Sequence, residues 1–365
     1  MSGPVIPIYD HETGVLCGHA DLHNNTFAAI DRNGQVHNMS LGQGDVHIER
    51  ALANYASGFS NAQGCADIAM PPVLVANASD RYWEWDKDDA FQAVDGTVVS
   101  PGANVREVSA RLSSNRFQTK QYALGAFVPT EVTANADAPL QIILQDMRRV
   151  MAALHVNREI RVADIMLNSA NYSGNRLITL GAGAKWNGGA SSDPIANIQQ
   201  IMEAMLMPAS GMIMDLTTWN WFTRNPAVQK FTTFKTAAPP IPGADQRDMF
   251  ASLLNIPKPH VCQMRRKNMA VADSYPFVWA NDVVVYHRPE GGGLPLDGRD
   301  VATGYTFRWT GGTVEGATVE GGWMIRSFFN PYRGARGGTQ IIVTHNDAEQ
   351  FISGFVGGLI KGAIQ

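Results

Sequence analysis

Residues 184–205 read AKWNGGASSDPIANIQQIMEAM, and the second half of this stretch has the pattern of a helix. Asp193 is a typical N-cap, because its carboxylate can accept hydrogen bonds from the amides of the first turn. Pro194 suits the first helical position, where no amide partner is lost. The apolar residues that follow fall on one helical face: Ile195, Ile198, Met202, Met205 and Leu206. We therefore predict an amphipathic helix that begins at Pro194.

A bulky tryptophan stands just before the flexible turn that leads into this helix. Trp186 is followed by Gly188 and Gly189, which allow the chain to turn sharply. Two interpretations are open at this point. The indole lines a ligand pocket, or it packs where one domain passes the chain to another.

The composition excludes several classes of protein. The chain has 365 residues, which is enough for two or three domains. Its net charge is −4, so it is not a strongly basic nucleic-acid binder, and we interpret the run Arg265-Arg266-Lys267 as a solvated face. Charged residues make up 17% of the chain, against roughly 25% in a typical soluble protein. A surface buried against other subunits would explain this low value.

No segment has the pattern of a targeting or membrane sequence. The start, MSGPVIPIYDHETG, lacks the basic and apolar regions of a signal peptide, and no stretch reaches about 18 consecutive apolar residues. The cysteines are too far apart to suggest a disulfide framework: Cys17, Cys65 and Cys262. We expect a chain that is made in a reducing cytoplasm and has no contact with a membrane.

The first 60 residues are polar and only weakly periodic. A turn signal at Asn33-Gly34 between two partly alternating runs predicts a hairpin. An extended arm that orders only on a neighbouring subunit is an equally good interpretation.

The next region predicts a long hairpin that projects from the molecule. Residues 81–91 alternate aromatic and polar side chains, residues 92–107 form a loop, and residues 116–128 return with apolar side chains at every second position. The loop contains two turn signals, Asp95-Gly96 and Pro101-Gly102. Its tip could not form a core of its own, so we expect it to extend away from the subunit.

The longest predicted helix follows this hairpin. Asp137 is a candidate cap, and the apolar residues after it mark one face: Leu140, Ile143, Leu144, Met147, Met151 and Leu154. The pattern continues less strictly to Leu167, which predicts a helix of about 30 residues and ~45 Å. A usual helix has about 11 residues, so this length is typical of a structural spine.

The remaining segments mix helices and strands. After the helix from Pro194, the pattern predicts a short apolar strand at 211–214, a helix that ends near Asn225-Pro226, and another helix at 248–254. Strand-like segments follow at 277–287, 304–309 and 319–329, and a last strand lies after residue 338. The order indicates an α+β fold.

Signatures of catalysis and metal binding are missing from the sequence. It has no GxxxxGK[ST], HExxH, GxSxG or CxxC motif. Cys17, His19 and His23 are the best metal candidates, but a closed zinc site needs a fourth ligand, for which only His11 or His37 is available. One acidic group is interpreted as a solvated strand edge: Glu84, Asp86, Asp88 and Asp89. One group of methionines is interpreted as core or subunit contacts: Met202, Met205, Met207, Met212 and Met214. We therefore predict no metal, no cofactor and no enzyme activity.

Several stretches, none specific alone, occur in a specific order. They are ADIAMPPVLV with RYWEWDKDDAF, QYALGAFVPTEVTANADAPLQ, REIRVADIMLNSANY, KWNGGASSDPIANI, TWNWFTRNPAVQKF, WANDVVVYH, GYTFRW and RSFFNPYRGARGG. In this order they resemble the major capsid proteins of tailed phages, which have the Hong Kong 97-like fold. The resemblance covers roughly residues 60–365 and includes the Arg-Glu pair at the end of the family's spine helix. One departure is MPASGMIMD, where the family often has Pro-Asn and an apolar strand.

The resemblance implies a division of the chain into four parts. Residues 1–64 would be an N-terminal arm or extension, of which the first 50 or so residues match no part of the family. The other parts would be a P-domain at 65–183 with an E-loop at about 84–117 and a spine helix at about 138–168, an A-domain at 184–338, and a return to the P-domain at 339–365. The hinge and interface candidates are Trp186, Gly188, Gly189, Asp193, Pro194, Asp95, Gly96, Pro101 and Gly102. In this setting Trp186 would anchor the hinge rather than line a pocket.

The resemblance also implies a structural function. Copies of the chain would assemble as hexamers and pentamers into the icosahedral head shell of a virion, made in the host bacterial cytoplasm. The shell would enclose double-stranded DNA and contact it non-specifically. The other implied partners are a portal, a separate scaffolding protein and a decoration protein. Two alternatives are the shell of an encapsulin-like nanocompartment and a metal-dependent enzyme built on Cys17, His19 and His23.

Overall fold

A computed structural model gives the architecture of the chain. It describes residues 5–9, 16–21, 26–30, 36–40, 64–84, 97–99, 101–102, 104–105, 113–135, 139–188, 192–235, 246–268, 270–271, 273–289, 300–312 and 318–364. The helices are α1 (Ala66–Ala69), α2 (Thr130–Ala134), α3 (Pro139–Met166), α4 (Pro194–Ala204), α5 (Leu216–Arg224), α6 (Pro226–Lys235) and α7 (Gln246–Leu254). Short 3-10 turns lie at Ser169–Asn171 and Gly174–Arg176.

The strands fall into four sheets. They are β1 (Val5–Tyr9), β2 (Leu16–Asp21), β3 (Thr26–Ile30), β4 (Val36–Ser40), β5 (Pro72–Val75), β6 (Ser79–Glu84), β7 (Ser113–Gln118), β8 (Lys120–Pro129), β9 (Leu177–Thr179), β10 (Gly211–Asp215), β11 (Pro259–Cys262), β12 (Val283–Tyr286), β13 (Gly304–Trp309), β14 (Thr318–Glu320), β15 (Trp323–Asn330), β16 (Gly338–Phe351) and β17 (Gly358–Lys361).

The N-terminal strands β1 to β4 form an antiparallel sheet in sequence order. The hairpin that Asn33-Gly34 predicted is present, because β3 pairs with β4 from Thr26 with Ser40 to Ile30 with Val36. The two turn residues themselves lie outside the described residues. The region is therefore a meander in this structure, not an extended arm.

A five-stranded sheet, in the order β11-β10-β12-β17-β9, has helices on both faces. Met212 and Met214 of β10 belong to the core formed with α4 to α7, whereas Ile213 belongs to the core beneath α3. Every residue of β10 and β12 is buried. A strand covered on both faces has no polar side, which explains the continuous apolar runs in the sequence.

A six-stranded sheet is built around β16, the longest strand. β15 and β13 pair with β16 along one edge, and β8 pairs with it along the other, over the register from Gly338 with Pro129 to Asp347 with Lys120. β14 and β5 complete the sheet. One of its faces packs on α3 through a shared core: Val128, Ile143, Met147, Val150, Met151, Leu154, Trp323, Ile325, Ile341 and Val343.

The long helix α3 connects these two sheets. It has 28 residues, which corresponds to ~42 Å at 1.5 Å per residue. Its first half covers the six-stranded sheet, and its last turns, with Val162 and Met166, cover one face of the five-stranded sheet. The candidate cap, Asp137, lies outside the described residues.

The predicted hairpin has a different second arm. β6 and β7 pair from Ser79 with Gln118 to Glu84 with Ser113, so they form the base of a hairpin. After Thr119 the chain continues as β8, which leaves the hairpin to pair with β16. The alternating residues that we assigned to one arm therefore belong to two sheets.

Strand pairing also crosses the domain boundaries implied by the sequence. Strands β13 to β15 precede residue 338 but share a sheet with β8 and β16. The C-terminal β17 pairs with β12 and β9 in the other sheet. Within the described residues, no helix is both long and apolar enough to cross a membrane.

Smaller differences concern the ends of elements. Helix α4 ends at Ala204, so Leu206 is 42% exposed instead of lying on the buried face. The strand predicted at 277–287 contains β12 only at Val283–Tyr286, because Asn281 has a φ of 64° and breaks the extended conformation.

Candidate functional site

Trp186 is a core residue and not part of an open pocket. Its side chain is 1% exposed and packs against Phe222, with ring centroids 5.6 Å apart. The indole nitrogen donates a hydrogen bond to Asn197 Oδ1 at 3.2 Å. Because Asn197 is on α4, this bond connects the tryptophan to the helix that follows it.

The backbone around Trp186 is held from both sides. Its amide donates to the carbonyl of Ala363 at 2.7 Å, next to the C-terminal strand β17. Its carbonyl accepts from Asn225 Nδ2 at 3.1 Å, and the same amide group donates to Ser192 Oγ at 2.8 Å. Trp186 therefore lies where α4, the α5–α6 corner and the end of the chain meet. Its role as a hinge anchor stays a prediction.

The turn after Trp186 needs a glycine at its described position. The amide of Gly188 donates to the carbonyl of Lys185 at 2.7 Å. A Cβ atom at Gly188 would lie 2.7 Å from that carbonyl oxygen, which is closer than carbon and oxygen can approach. Gly189 lies outside the described residues.

Asp193 and Pro194 have the local roles that their residue types predict. Asp193 Oδ1 accepts from the amide of Ala196 at 3.0 Å, and Pro194 is the first residue of α4. Both residues therefore fix where α4 begins. No contact described for them separates a hinge role from a purely structural one.

The loop between β6 and β7 is exposed where it is described. Pro101 and Gly102 form a turn, in which Gly102 has a φ of 89° and a Cβ atom would meet no other atom within 4 Å. Val98 is 95% exposed and Val105 is 76% exposed. Asp95 and Gly96 lie outside the described residues.

The base of the hairpin is anchored on the six-stranded sheet. Phe117 stacks on Phe307 with ring centroids 4.4 Å apart, and Tyr82 stacks on the same ring at 5.6 Å. Both side chains are buried in a small core with Val73 and Tyr305. The loop therefore starts from a fixed base.

A buried group of charges connects α3 with the six-stranded sheet. Asp347 is fully buried and accepts two hydrogen bonds from Arg308, from Nε and Nη2, both at 2.8 Å. Arg158 Nε lies 3.6 Å from the other side of the same carboxylate. Burial raises the pKa of Asp347, but the hydrogen bonds and positive charge of Arg308 outweigh this and hold the pKa below its usual range.

Arg158 reaches two further elements. Its Nη2 donates to Thr306 Oγ1 on β13 at 3.4 Å, and its Nη1 donates to Asp67 Oδ1 on α1. The Asp67 side chain is 60% exposed, so water screens this pair, whereas the pair with Asp347 is shielded. Asp67 is the carboxylate that hydrogen-bonds this arginine, and Asp347 is a buried charge 3.6 Å from its Nε.

The neighbouring Glu159 is buried as well and supports a different set of groups. Its Oε1 accepts from the amide of Cys65 at 2.7 Å and from the indole of Trp279, and its Oε2 accepts from the amide of Ala66 at 2.9 Å. The carboxylate thus satisfies the first amides of α1. Arg158 and Glu159 together hold α1 on the long helix.

His345 lies between two aromatic rings beside this group. Its ring stacks on Tyr122 at 5.3 Å between centroids and lies 4.3 Å from the Trp323 ring. Burial lowers the pKa of His345 to about 3, although the Asp347 carboxylate, 3.6 Å from Nε2, acts in the opposite direction. Arg308 lowers it further. The ring is therefore neutral at pH 7.

His155 packs against Trp323, the ring that also contacts His345. Its ring is 5.1 Å from the Trp323 ring. Burial lowers the pKa of His155 to about 4, and the charge of Arg158 lowers it further. Two neutral histidines thus surround Trp323 between α3 and the sheet.

The other metal candidates lie outside the part of the chain whose side chains are described. Cys17 and His19 lie on β2 and His37 on β4, of which only the backbone is described, while His11 and His23 lie outside the described residues. Among the residues described, no group of three or more His, Cys, Asp or Glu could hold a metal ion. The methionines behave as core residues, because Met205, Met212 and Met214 are buried in the core beneath α4.

The two charged runs also have structural contacts. Glu84 accepts from Asn115 Nδ2 across the hairpin at 3.1 Å, and the rest of the acidic run lies outside the described residues. Arg265 donates to the carbonyl of Tyr275 at 2.8 Å and lies 3.8 Å from the centre of the Phe277 ring. Arg266 and Lys267 are exposed, as expected for a solvated face.

Replacing Asp347 by Asn should destabilise the fold strongly. Arg308 would keep its charge in a buried place without its hydrogen-bonded carboxylate, and Arg158 would keep only Asp67. Loss of one partner of a buried ion pair costs about 3–5 kcal/mol. Asp164→Asn removes an exposed carboxylate from the same helix and should change the free energy of unfolding by less than about 0.5 kcal/mol. Urea unfolding followed by circular dichroism compares the two variants. Equal losses in both would contradict the importance of this network.

Acid should destabilise the folded chain in a range set by the buried histidines. In the unfolded chain a histidine has a pKa of about 6.5 and is protonated below that pH. In the folded chain His345 and His155 stay neutral at the same pH, so the unfolded state binds more protons. Stability is therefore lost as the pH falls from about 6.5 towards about 4 for His155 and about 3 for His345. His345→Phe keeps the ring stack and cannot titrate. Between pH 6.5 and 4.5 the free energy of unfolding of this variant should fall less steeply than that of the unaltered protein, by up to about 1.4 kcal/mol per pH unit. Equal slopes for the two proteins would contradict the assignment.

Comparisons with known proteins agree with this architecture. No protein-family model matches the chain. It is 22% identical over 183 residues to the major capsid protein of Pseudomonas phage JBD67, a match that covers 50% of this chain. The match spans 59% of the length of that relative.

Two solved structures resemble nearly the whole chain. A phage-related protein from Bordetella bronchiseptica RB50 has a TM-score of 0.66 at 17% identity, covering 86% of this chain and 97% of that one. The capsid of cyanophage P-SCSP1u has a TM-score of 0.50 at 11% identity, covering 84% of this chain and 89% of the other. The chain therefore has the Hong Kong 97-like fold of phage capsid proteins and is similar in sequence to a tailed-phage major capsid protein.

Proposed function

We propose that this chain is the major capsid protein of a tailed phage, a structural subunit that assembles into an icosahedral head shell around double-stranded DNA. The observation that carries the proposal is the fold, which nearly the whole chain shares with phage proteins. The similarity to a named major capsid protein points to the same role. The role is structural, and the proposal includes no enzyme activity.

Exposed apolar side chains on the projecting loop support assembly. Val98 and Val105 are largely exposed and add little to the core of their own subunit. Burial of such side chains against another subunit is favourable, by roughly 25 cal/mol per Å² of apolar surface. The loop is therefore proposed to be an E-loop that lies on a neighbouring copy.

A second exposed apolar surface lies at the turn between β15 and β16. Tyr332 is 96% exposed and Phe329 is 57% exposed. Arg333, in the same turn, lies 4.6 Å from the centre of the Phe127 ring on β8. An aromatic turn with an arginine has the composition of an interface centre. We propose that it contacts other copies of the chain.

The hairpin geometry suits a contact that repeats around a shell. Tyr82 and Phe117 fix the base of the hairpin on Phe307, so the direction of the loop is defined although its tip is exposed. A repeated contact of modest strength gives a stable assembly through avidity. We propose the P-domain, A-domain and return segment at 65–183, 184–338 and 339–365, and residues 1–64 as an N-terminal extension.

The partners follow from the same proposal. The chain would form hexamers and pentamers with itself and work with a separate scaffolding protein, a portal and a decoration protein. A net charge of −4 agrees with weak, non-specific contact with DNA, because a mildly acidic chain does not bind the phosphates strongly. The protein would be made in the host bacterial cytoplasm and reside in the virion. The named capsid relative favours this role over that of an encapsulin-like nanocompartment.

The protein should form closed shells. We expect uniform large particles when it is expressed with its scaffolding protein and studied by size-exclusion chromatography and negative-stain electron microscopy. The particle content separates the two kinds of shell, because a nanocompartment would hold an enzyme and no nucleic acid. A chain that stays monomeric under all assembly conditions would overturn the proposal.

Shortening the loop should separate folding from assembly. With residues 92–107 replaced by a short glycine-serine linker, the subunit should fold, and its Tm should change by only a few degrees, because loop-closure entropy varies slowly with length. Shell assembly, followed by light scattering, should fail.

A milder pair of variants controls for the deletion. Val98→Ser with Val105→Ser should weaken assembly and leave the circular dichroism spectrum unchanged. Val271→Ser alters a valine that is 54% exposed outside the hairpin, and it should assemble like the original protein. An unfolded loop-shortened chain would place residues 92–107 in the core, and normal assembly would exclude them from the subunit interface.

A further inference from the structure

Two cysteines that are far apart in the sequence lie together in the structure. Cys65 stands at the N-cap of α1 and is 4% exposed, and Cys262 is the last residue of β11 and is fully buried. Both are free thiols, and both side chains are buried in the same core cluster. Their shared core also contains Met264 and Trp279.

The carboxylate of Glu159 accepts hydrogen bonds from both cysteines. Its Oε1 accepts from the Cys65 amide at 2.7 Å and from Cys262 Sγ at 3.5 Å. The Cys65 backbone and the Cys262 side chain thus donate to the same oxygen atom of Glu159. A disulfide needs Cα atoms within about 7 Å and side chains that point towards each other. The shared oxygen atom places the Cys262 sulfur close to the Cys65 backbone, as such a bond requires.

We propose that Cys65 and Cys262 are a disulfide-forming pair. The bond would tie α1, where the N-terminal 64 residues join the rest of the chain, to β11, the edge strand of the five-stranded sheet. It would link two elements whose side chains also meet around Glu159. The inference goes beyond the proposed capsid function and does not depend on it.

The reaction is thiol–disulfide exchange with a low-molecular-weight disulfide such as oxidised glutathione. The Cys65 thiolate attacks one sulfur of the oxidant, forms a mixed disulfide and releases one glutathione thiolate. The Cys262 thiolate then attacks the Cys65 sulfur and releases the second. Two electrons pass from the cysteines to the oxidant, and the two cysteine protons end on the two glutathione thiols.

The surroundings of the pair make this reaction slow. The hydrogen bond to Cys65, burial and the nearby Glu159 carboxylate all raise the pKa of Cys262, so little reactive thiolate exists at neutral pH. The pair therefore stays reduced in a cytoplasm and oxidises over long exposure to an oxidising medium, such as the surroundings of a cell after lysis.

Thiol counting on the full-length protein tests the inference. The chain has three cysteines, so the thiols titrated in denaturant should fall from three to one after prolonged incubation with oxidised glutathione. The intact mass should decrease by about 2 Da, since one disulfide forms with loss of two hydrogens. Peptide mapping should identify Cys65 joined to Cys262. The urea midpoint should rise and return to its first value with dithiothreitol.

Matched variants identify the pair. Cys17→Ser should go from two thiols to none, whereas Cys65→Ser and Cys262→Ser should each keep two. The mapping of the unaltered protein gives an answer even if a variant fails to fold. The inference would be overturned by three remaining thiols, by a disulfide to Cys17, or by separate glutathione adducts on Cys65 and Cys262. The same outcomes count when the oxidation is repeated in sub-denaturing urea.

Discussion

The burial of two opposite charges at adjacent positions of α3 is the constraint on which the arrangement of the elements depends. Arg158 is 1% exposed and Glu159 is 2% exposed. A charge in such a place is tolerated only with its partners in position. Arg158 has Asp67 of α1 and Asp347 of β16 beside it, and Glu159 accepts from the amides of α1 and the Trp279 indole. This dipeptide thereby connects α3, the longest helix, with β16 and with the start of α1.

Local chemistry explains why much of the secondary structure could be predicted. The cap at Asp193 and the proline after it place the start of α4 without reference to any other element. The apolar period that identified α3 is likewise a property of one continuous segment, and its buried side chains include the predicted Ile143 and Met147. The hairpin of β3 and β4 needed only a turn signal between two short runs.

Long-range partners explain what could not be predicted. Nothing in residues 116–128 indicates that the pairing partner changes at Thr119 and that β8 pairs with β16, more than two hundred residues later. The Arg-Glu pair was visible as a family-like dipeptide, but the sequence gives no sign of Asp347 or Cys65 as its partners. The contacts of Trp186 with Asn225 and the carbonyl of Ala363 likewise come from distant parts of the chain. Periodicity carries no information about which distant strand lies alongside.

The route of the chain from the hairpin into the sheet has a mechanical consequence. β7 continues through Thr119 directly into β8, which is bonded to β16 over ten residue pairs. Ladder hydrogen bonds lie perpendicular to the strands. A pull on the loop along the strand axis would therefore load many bonds in shear at once, where a perpendicular pull would open them one after another. Tension from a neighbour holding the loop, or outward pressure on a closed shell, would meet the sheet in its more resistant direction.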